Sequence, residues 1–161
     1  MTDDPRYVVV DGRRWRASDP GIPERLRSEL VAELMSARRA VGQGGDVAAA
    51  RQRVQDAKVA LGERGEAWWE AASPDGRTTR LGATMRTLLR HREPTSTICP
   101  SDAARVVAGD RFRSAMDDAR RVAAELRDAG LVRTTQRGAE VDPRTARGPL
   151  RIGRGPRWEP S

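Results

Sequence analysis

The chain has 161 residues, of which 37% are apolar and 33% charged, with a net charge of +7; it can hold one ordinary domain or two small ones around a thin core. No run approaches the roughly 18 apolar residues needed to cross a bilayer. The acidic start Met1-Thr2-Asp3-Asp4 lacks the order of a signal peptide, and the single cysteine, Cys99, excludes an internal disulfide. Together these features predict a cytoplasmic protein with no membrane partner.

Tyr7 to Arg16 carries a hairpin signal, because Asp11-Gly12 suits the two positive-φ sites of a tight turn. That register sets Val8 opposite Trp15 and Val9 opposite Arg14. A lone hairpin is marginal in water, so Val8, Val10 and Trp15 are expected to pack against another element. The turn formers Ser18 to Pro23 open a helix running to Val41, with Leu30, Leu34, Ala37 and Val41 on one stripe. After Gly42-Gln43-Gly44-Gly45, a second helix is expected over about Asp46 to Glu63, capped by Asp46 and striped by Val47, Ala50, Val54, Ala57 and Leu61. Matched stripes joined by a short turn predict an antiparallel helical hairpin. The paired Trp68 and Trp69 cannot face the same way. One is expected to seal the hairpin against the helices, the other to meet a partner surface. Residues 5–72 thus form the predicted first unit.

Turn formers concentrate over Ala72 to Arg77, and the charge balance changes sign there. Residues 1–76 hold 12 basic and 13 acidic side chains, and residues 77–161 hold 18 and 10. Residues 73–79 are therefore expected to be a linker, and 80–152 a second unit. Of the 30 basic residues all but Lys58 are arginine, a skew that compositional bias explains as readily as function does. In the second unit, a short helix marked by Leu81, Met85 and Leu88 ends near His91. Another starts around Pro100, capped by Cys99 or Ser101 according to whether Pro100 is the first helical residue.

A long helix is then predicted over Phe112 to Ala129, with Phe112, Ala115, Ala119, Val122, Leu126 and Ala129 on its apolar stripe and Gly130 as its stop. Leu131 to Gln136, the turn Arg137-Gly138 and the return strand Ala139 to Asp142 complete a β-hairpin. The expected architecture is mainly α with small β-hairpins: an N-terminal β-hairpin plus antiparallel helical hairpin, then a C-terminal winged helix-turn-helix. Residues 153–161 are expected to be a disordered basic tail.

The run Ser96-Thr97-Ile98-Cys99-Pro100-Ser101-Asp102-Ala103-Ala104-Arg105, followed by Ala119-Arg120-Arg121-Val122-Ala123, Thr135-Gln136-Arg137-Gly138, Val141-Asp142-Pro143 and Arg147 to Ile152, resembles a bacterial domain-of-unknown-function family, number 3253. The resemblance spans about residues 80–152 and implies a small winged-helix-like domain, with no activity or functional residues attached. Where that pattern has a tryptophan-arginine start to the long helix, this chain has Phe112-Arg113. The first half, through Gly12 to Arg16, Ala37 to Val41, Ala57 to Gly65 and Trp68-Trp69, resembles small, mostly actinobacterial proteins labelled biopolymer transporter Tol. Nothing in it is apolar enough to anchor in a membrane, so no transport role is carried over.

Little in the sequence points to catalysis, and the chain is not expected to be an enzyme. His91, Cys99 and Asp102 are close in sequence, which says nothing about convergence in space. His91 is more simply a cation near a helix end, and Cys99 a small side chain at a helix start. One cysteine and one histidine do not make a zinc site. The Gly-Gln-Gly-Gly turn lacks the Lys-Ser/Thr ending of a phosphate loop, and no cofactor is implied. The better case is nucleic-acid contact. Arg113 and Arg120 on the long helix are placed to reach bases or phosphates, with Arg121 and Arg127 nearby. Arg133, Arg137, Arg144, Arg147 and Arg151 follow along the wing. Asp117, Asp118 and Asp128 dilute that surface. The expected function is DNA-binding or DNA-associated accessory factor, with duplex DNA as partner. The alternative is a protein-interaction module that contacts its partner through Trp68 and Trp69, or self-associates through the N-terminal helices.

Overall fold

The computed structural model describes residues 4–159. Strands β1 (Tyr7–Val10) and β2 (Arg13–Arg16) pair with Val8 opposite Trp15 and Val9 opposite Arg14, around a turn in which Asp11 and Gly12 have φ of 51° and 76°. Helix α1 (Glu24–Gln43) and helix α2 (Val47–Ala60) form the expected antiparallel pair. The Asp46 carboxylate accepts from the Ala49 amide at 3.0 Å, capping α2 as its position predicts. The apolar seams of both helices are buried within the chain, at Leu26, Leu30, Leu34, Ala50 and Ala57.

Helix α3 (Pro74–His91) follows. Its first residues correct the expected linker at 73–79: the Ser73 hydroxyl accepts from the Gly76 amide at 3.0 Å, and Pro74 opens the helix. The turn formers read as a boundary are a helix start, the role that Ser followed by Pro also supports. No break in the core accompanies them, because Leu30 and Leu61 from the first half share one buried cluster with Met85, Leu88, Ile98, Ala119 and Ile152.

Helix α4 (Pro100–Ala108) has Cys99 as N-cap residue, and the Asp102 carboxylate accepts from the Cys99 amide at 2.9 Å. The predicted long helix is broken. Gly109–Ala115 is a 3₁₀ segment with non-helical φ/ψ at Arg111, and α5 proper is Met116–Asp128. Gly109 has φ of 54°, and a β-carbon there would meet the Gly21 carbonyl oxygen at 3.0 Å, so the chain turns tightly before α5 begins. Asp117 and Asp118 then occupy the first turn of α5, where the helix dipole favours negative charge.

Strands β3 (Val132–Gln136), β4 (Ala139–Glu140) and β5 (Arg151–Arg154) form an antiparallel sheet in the order β4-β3-β5. Ile98 extends it through a two-way bridge to Ile152, at 2.8 and 2.7 Å. The expected return strand Ala139 to Asp142 is only two residues of regular strand, and β3 makes its longer pairing, over four residue pairs, with β5. The polypeptide beyond β5 is also ordered where described. Gly155 and Arg157 donate to the carbonyls of Leu131 and Gly130 at 2.9 Å each, and Glu159 is ion-paired with Arg90. The tail expected to be disordered therefore packs back on the domain through 159; residues 160 and 161 lie outside the described residues.

Candidate functional site

The arginines predicted to read nucleic acid have unequal surroundings. Arg120 leaves α5 toward the loop between β4 and β5, where its guanidinium donates to the carbonyls of Pro143 at 3.5 Å, Ala146 at 2.7 Å and Gly148. It closes that loop onto the helix. Arg121 pairs with Asp118 at 3.2 Å and Glu125 at 3.1 Å, and reaches Thr78 at 2.9 Å. Arg144 pairs with Asp128 at 2.7 Å, and that hydrogen bond holds the Asp128 carboxyl below its ordinary range. These residues and exposed Arg147 surround a groove of about 600 Å³ shared with Asp117. Helix α5 itself carries four acidic and three basic side chains. Its surface is compensated rather than positive.

Arg133, Arg137 and Arg151 fall elsewhere. Arg133 and Arg151 lie on the outer face of the sheet, as the registers Arg133 to Gly153 and Thr135 to Arg151 require. Arg151 donates to the hydroxyl and carbonyl of Thr97, both at 2.8 Å. Arg137 sits at the turn tip with φ of 50°. Arg113 stacks beside Phe112 in the 3₁₀ segment, 5.1 Å from the ring centre, and Arg127 is half-buried near the end of α5.

Trp68 and Trp69 are braces of the N-terminal hairpin. The Trp68 indole donates to the Ala17 carbonyl at 2.9 Å. Trp69 meets Trp68 and Tyr7 edge-on, with ring centres 5.2 and 5.6 Å apart. Arg16 completes the attachment by donating to the Gly65 carbonyl at 2.9 Å. Held this way, the hairpin leaves its apolar side chains in solvent, contrary to the expectation that Val8, Val10 and Trp15 pack away. Val8, Val9 and Val10 are 47%, 70% and 54% exposed, and Trp15 is 38% exposed. The hairpin is fastened through Tyr7 and Arg16, and its other face stands over the helices without filling the space between.

That space is a cavity of about 830 Å³ lined by Val8, Val10 and Trp15 above and by Arg27, Arg38, Lys58 and Arg64 around it. Sequence reasoning missed it, because the first half is neutral in total. The one available signal was Lys58, the single lysine in an arginine-rich chain. Burial, with Arg64 and Arg38 close by, pushes the Lys58 ammonium below its ordinary value. Asp102 faces Arg25 at 3.4 Å and Arg92 at 3.8 Å, and His91 is exposed at the end of α3. Among the described residues no group of histidine, cysteine and carboxylate side chains is arranged to hold a metal. No described helix is long and apolar enough to cross a membrane.

Residues 78–155, from the first turns of α3 through β5, match the family model of a protein of unknown function, DUF3253. The matched segment contains the motifs of the C-terminal half that carried the resemblance. No curated protein matches the chain.

Proposed function

We propose that the protein is a protein-interaction module, with a winged helix as its C-terminal frame and the N-terminal hairpin as its contact element. The observation that carries this reading is where apolar surface lies. Among the described residues, the large exposed apolar side chains are Val8, Val9, Val10, Trp15 and Met35, four of them on a two-stranded hairpin with both edges unpaired. An open strand edge with protruding valines suits pairing with an extended segment of a partner protein. The winged-helix reading rests on the element order helix, bridge residue, helix, helix, strand and strand. In that frame α5 takes the position of a recognition helix. Its excess of carboxylates and its occupied arginines make it a poor ligand for phosphate, since contact would break existing pairs. A cytoplasmic setting fits the single cysteine.

Nucleic-acid contact through the wing is the competing reading, favoured by the shared outer face of Arg133 and Arg151 and by Arg137 at the turn tip. Fluorescence anisotropy with a duplex over a salt series separates the two. Five phosphate contacts would make affinity fall by about two to three decades between 50 and 200 mM salt. We expect no such binding, and we expect cross-linked protein partners to be lost on Val9→Lys but kept on Arg133→Ala with Arg137→Ala. Salt-steep duplex binding abolished by those two arginine substitutions would overturn the interaction reading.

A further inference from the structure

Several of the half-buried cations of this chain lie against a carboxylate. Glu33 takes Arg53 at 2.8 Å, Asp56 takes Arg86 at 3.0 Å and Arg90 at 2.6 Å, and Glu29 takes Arg92 at 2.7 Å. The cavity under the hairpin departs from this pattern. Lys58 is only 9% exposed, and among the described residues no acceptor is hydrogen-bonded to its ammonium. Its Nζ lies 5.2 Å from the centre of the Trp15 ring, at the cavity wall. Arg38 and Arg64 border the same space and have no carboxylate partner among the described residues. Of the two carboxylates at the rim, Asp19 pairs with Arg80 at 3.0 Å, while Glu63 accepts from the Ser18 hydroxyl at 2.7 Å and partly offsets the positive charge around Lys58 without forming a salt bridge to it.

Burial of the Lys58 stem leaves its ammonium facing the cavity with no hydrogen-bond acceptor among the described residues and with Arg38 and Arg64 close by, an arrangement that a bound anion would relieve. Opposite those charges, Val8, Val10 and the Trp15 face offer an apolar wall, and the volume falls in the range of small-molecule sites. Lysine suits the position, because a compact charge on an apolar stem reaches the cavity while the stem stays packed. We propose that this cavity binds a small organic anion, a carboxylate or phosphate headgroup on a flat apolar body, with Lys58, Arg38 and Arg64 holding the headgroup and Trp15 covering the body. The site shares Val8, Val10 and Trp15 with the partner contact above, but Lys58, Arg38 and Arg64 belong to it alone, so loss of naphthoate binding on their substitution and loss of protein partners on Val9→Lys are read separately.

The sole lysine makes the test direct, because lysine-selective ¹³C labelling gives a single ε-methylene NMR signal from the whole protein. The full chain is titrated with 2-naphthoate and, separately, with its neutral counterpart 2-naphthalenemethanol; inorganic phosphate is added as a competitor for the headgroup position. We expect 2-naphthoate to bind saturably, to shift the Lys58 signal and to raise the pH at which it titrates, with the alcohol at least ten-fold weaker. Lys58→Met, followed by tryptophan fluorescence, is expected to weaken naphthoate at least ten-fold. Arg38→Gln, at an exposed helix position that tolerates change, is expected to weaken it about three-fold while leaving the Lys58 signal in place. Competition by phosphate assigns the headgroup position, and its failure would show that Lys58 and its neighbours do not hold the headgroup. Equal binding of acid and alcohol, no movement of the Lys58 signal, or undiminished binding by both variants would overturn the proposal.

Discussion

The groove between α5 and the β4–β5 loop and the cavity under the N-terminal hairpin are both rimmed by several cationic side chains, yet they are physically opposite. In the groove, Arg120 is held by loop carbonyls, and Arg121 and Arg144 by carboxylates. In the cavity, Lys58, Arg38 and Arg64 make no salt bridge among the described residues, and the apolar wall facing them is uncovered. The first arrangement holds the fold together and the second leaves charge for a ligand. The number of arginines in a region is thus a poor guide to where an anion binds; the number without an internal partner is a better one. By that measure the cavity is the better place for an anion than the groove, although the formal positive charge lies in the second half of the chain.

Substitutions should separate the two classes. The largest effect is expected away from both openings, at the seam of α2 and α3, where one buried carboxylate serves Arg86 and Arg90. Asp56→Ala leaves two guanidinium groups without their anion, and a loss of about 3–5 kcal/mol in urea unfolding is expected. Arg120→Ala should cost about 2 kcal/mol, as hydrogen bonds from a charged donor to the loop carbonyls disappear. Hydrogen exchange should then rise over residues 141–150. Arg120→Lys should restore little, because an ammonium does not span the carbonyls that the planar fork reaches.

Acid should act on the paired class. Burial opposes ionisation of Asp56, but hydrogen bonds and charge from Arg86 and Arg90 outweigh it and hold the carboxyl below its usual range. Glu29 is held low in the same way, with Arg92 overcoming burial. Groups with depressed carboxyl values stabilise the fold above their unfolded values of about 4 and lose that contribution as pH falls through the lower folded values. Thermal unfolding from pH 7 to pH 2 should show this loss, with a shallower slope in Asp56→Asn. The smallest effects belong to the cavity. Lys58→Met and Arg38→Gln should change stability by no more than about 0.5 kcal/mol, since neither removes a charged partner. For Lys58 the sign is reversed from the carboxylates. Its folded value lies below the unfolded one of about 10.4, so its charge destabilises at neutral pH and stability recovers as pH rises through that interval. Lys58→Met should abolish this small alkaline gain. A marked destabilisation by either cavity variant would erase the distinction between the two surfaces.

Local features were legible in the residues themselves. The Asp11-Gly12 turn sets the register of β1 and β2, and Asp46 caps α2 through an amide three residues on. Each depends on neighbours within a few positions, so type and spacing suffice. The same local signals misled where two readings share one vocabulary: Ser73-Pro74-Asp75-Gly76 suits a linker as well as a helix start. The stripe through Phe112 and Ala115 continues a helical period although the backbone there is a 3₁₀ turn, because burying those side chains does not require an unbroken helix.

What the amino-acid sequence determined by itself is therefore the class of fold, most of its elements and the turns and caps that begin and end them. Only the tertiary structure decided which charges are neutralised. The partners that matter are far apart along the chain, such as Arg90 and Glu159 at a separation of 69 residues or Arg80 and Asp19 at 61. Coulomb energy and desolvation depend on distance and burial in three dimensions, and neither is written in the order of the residues.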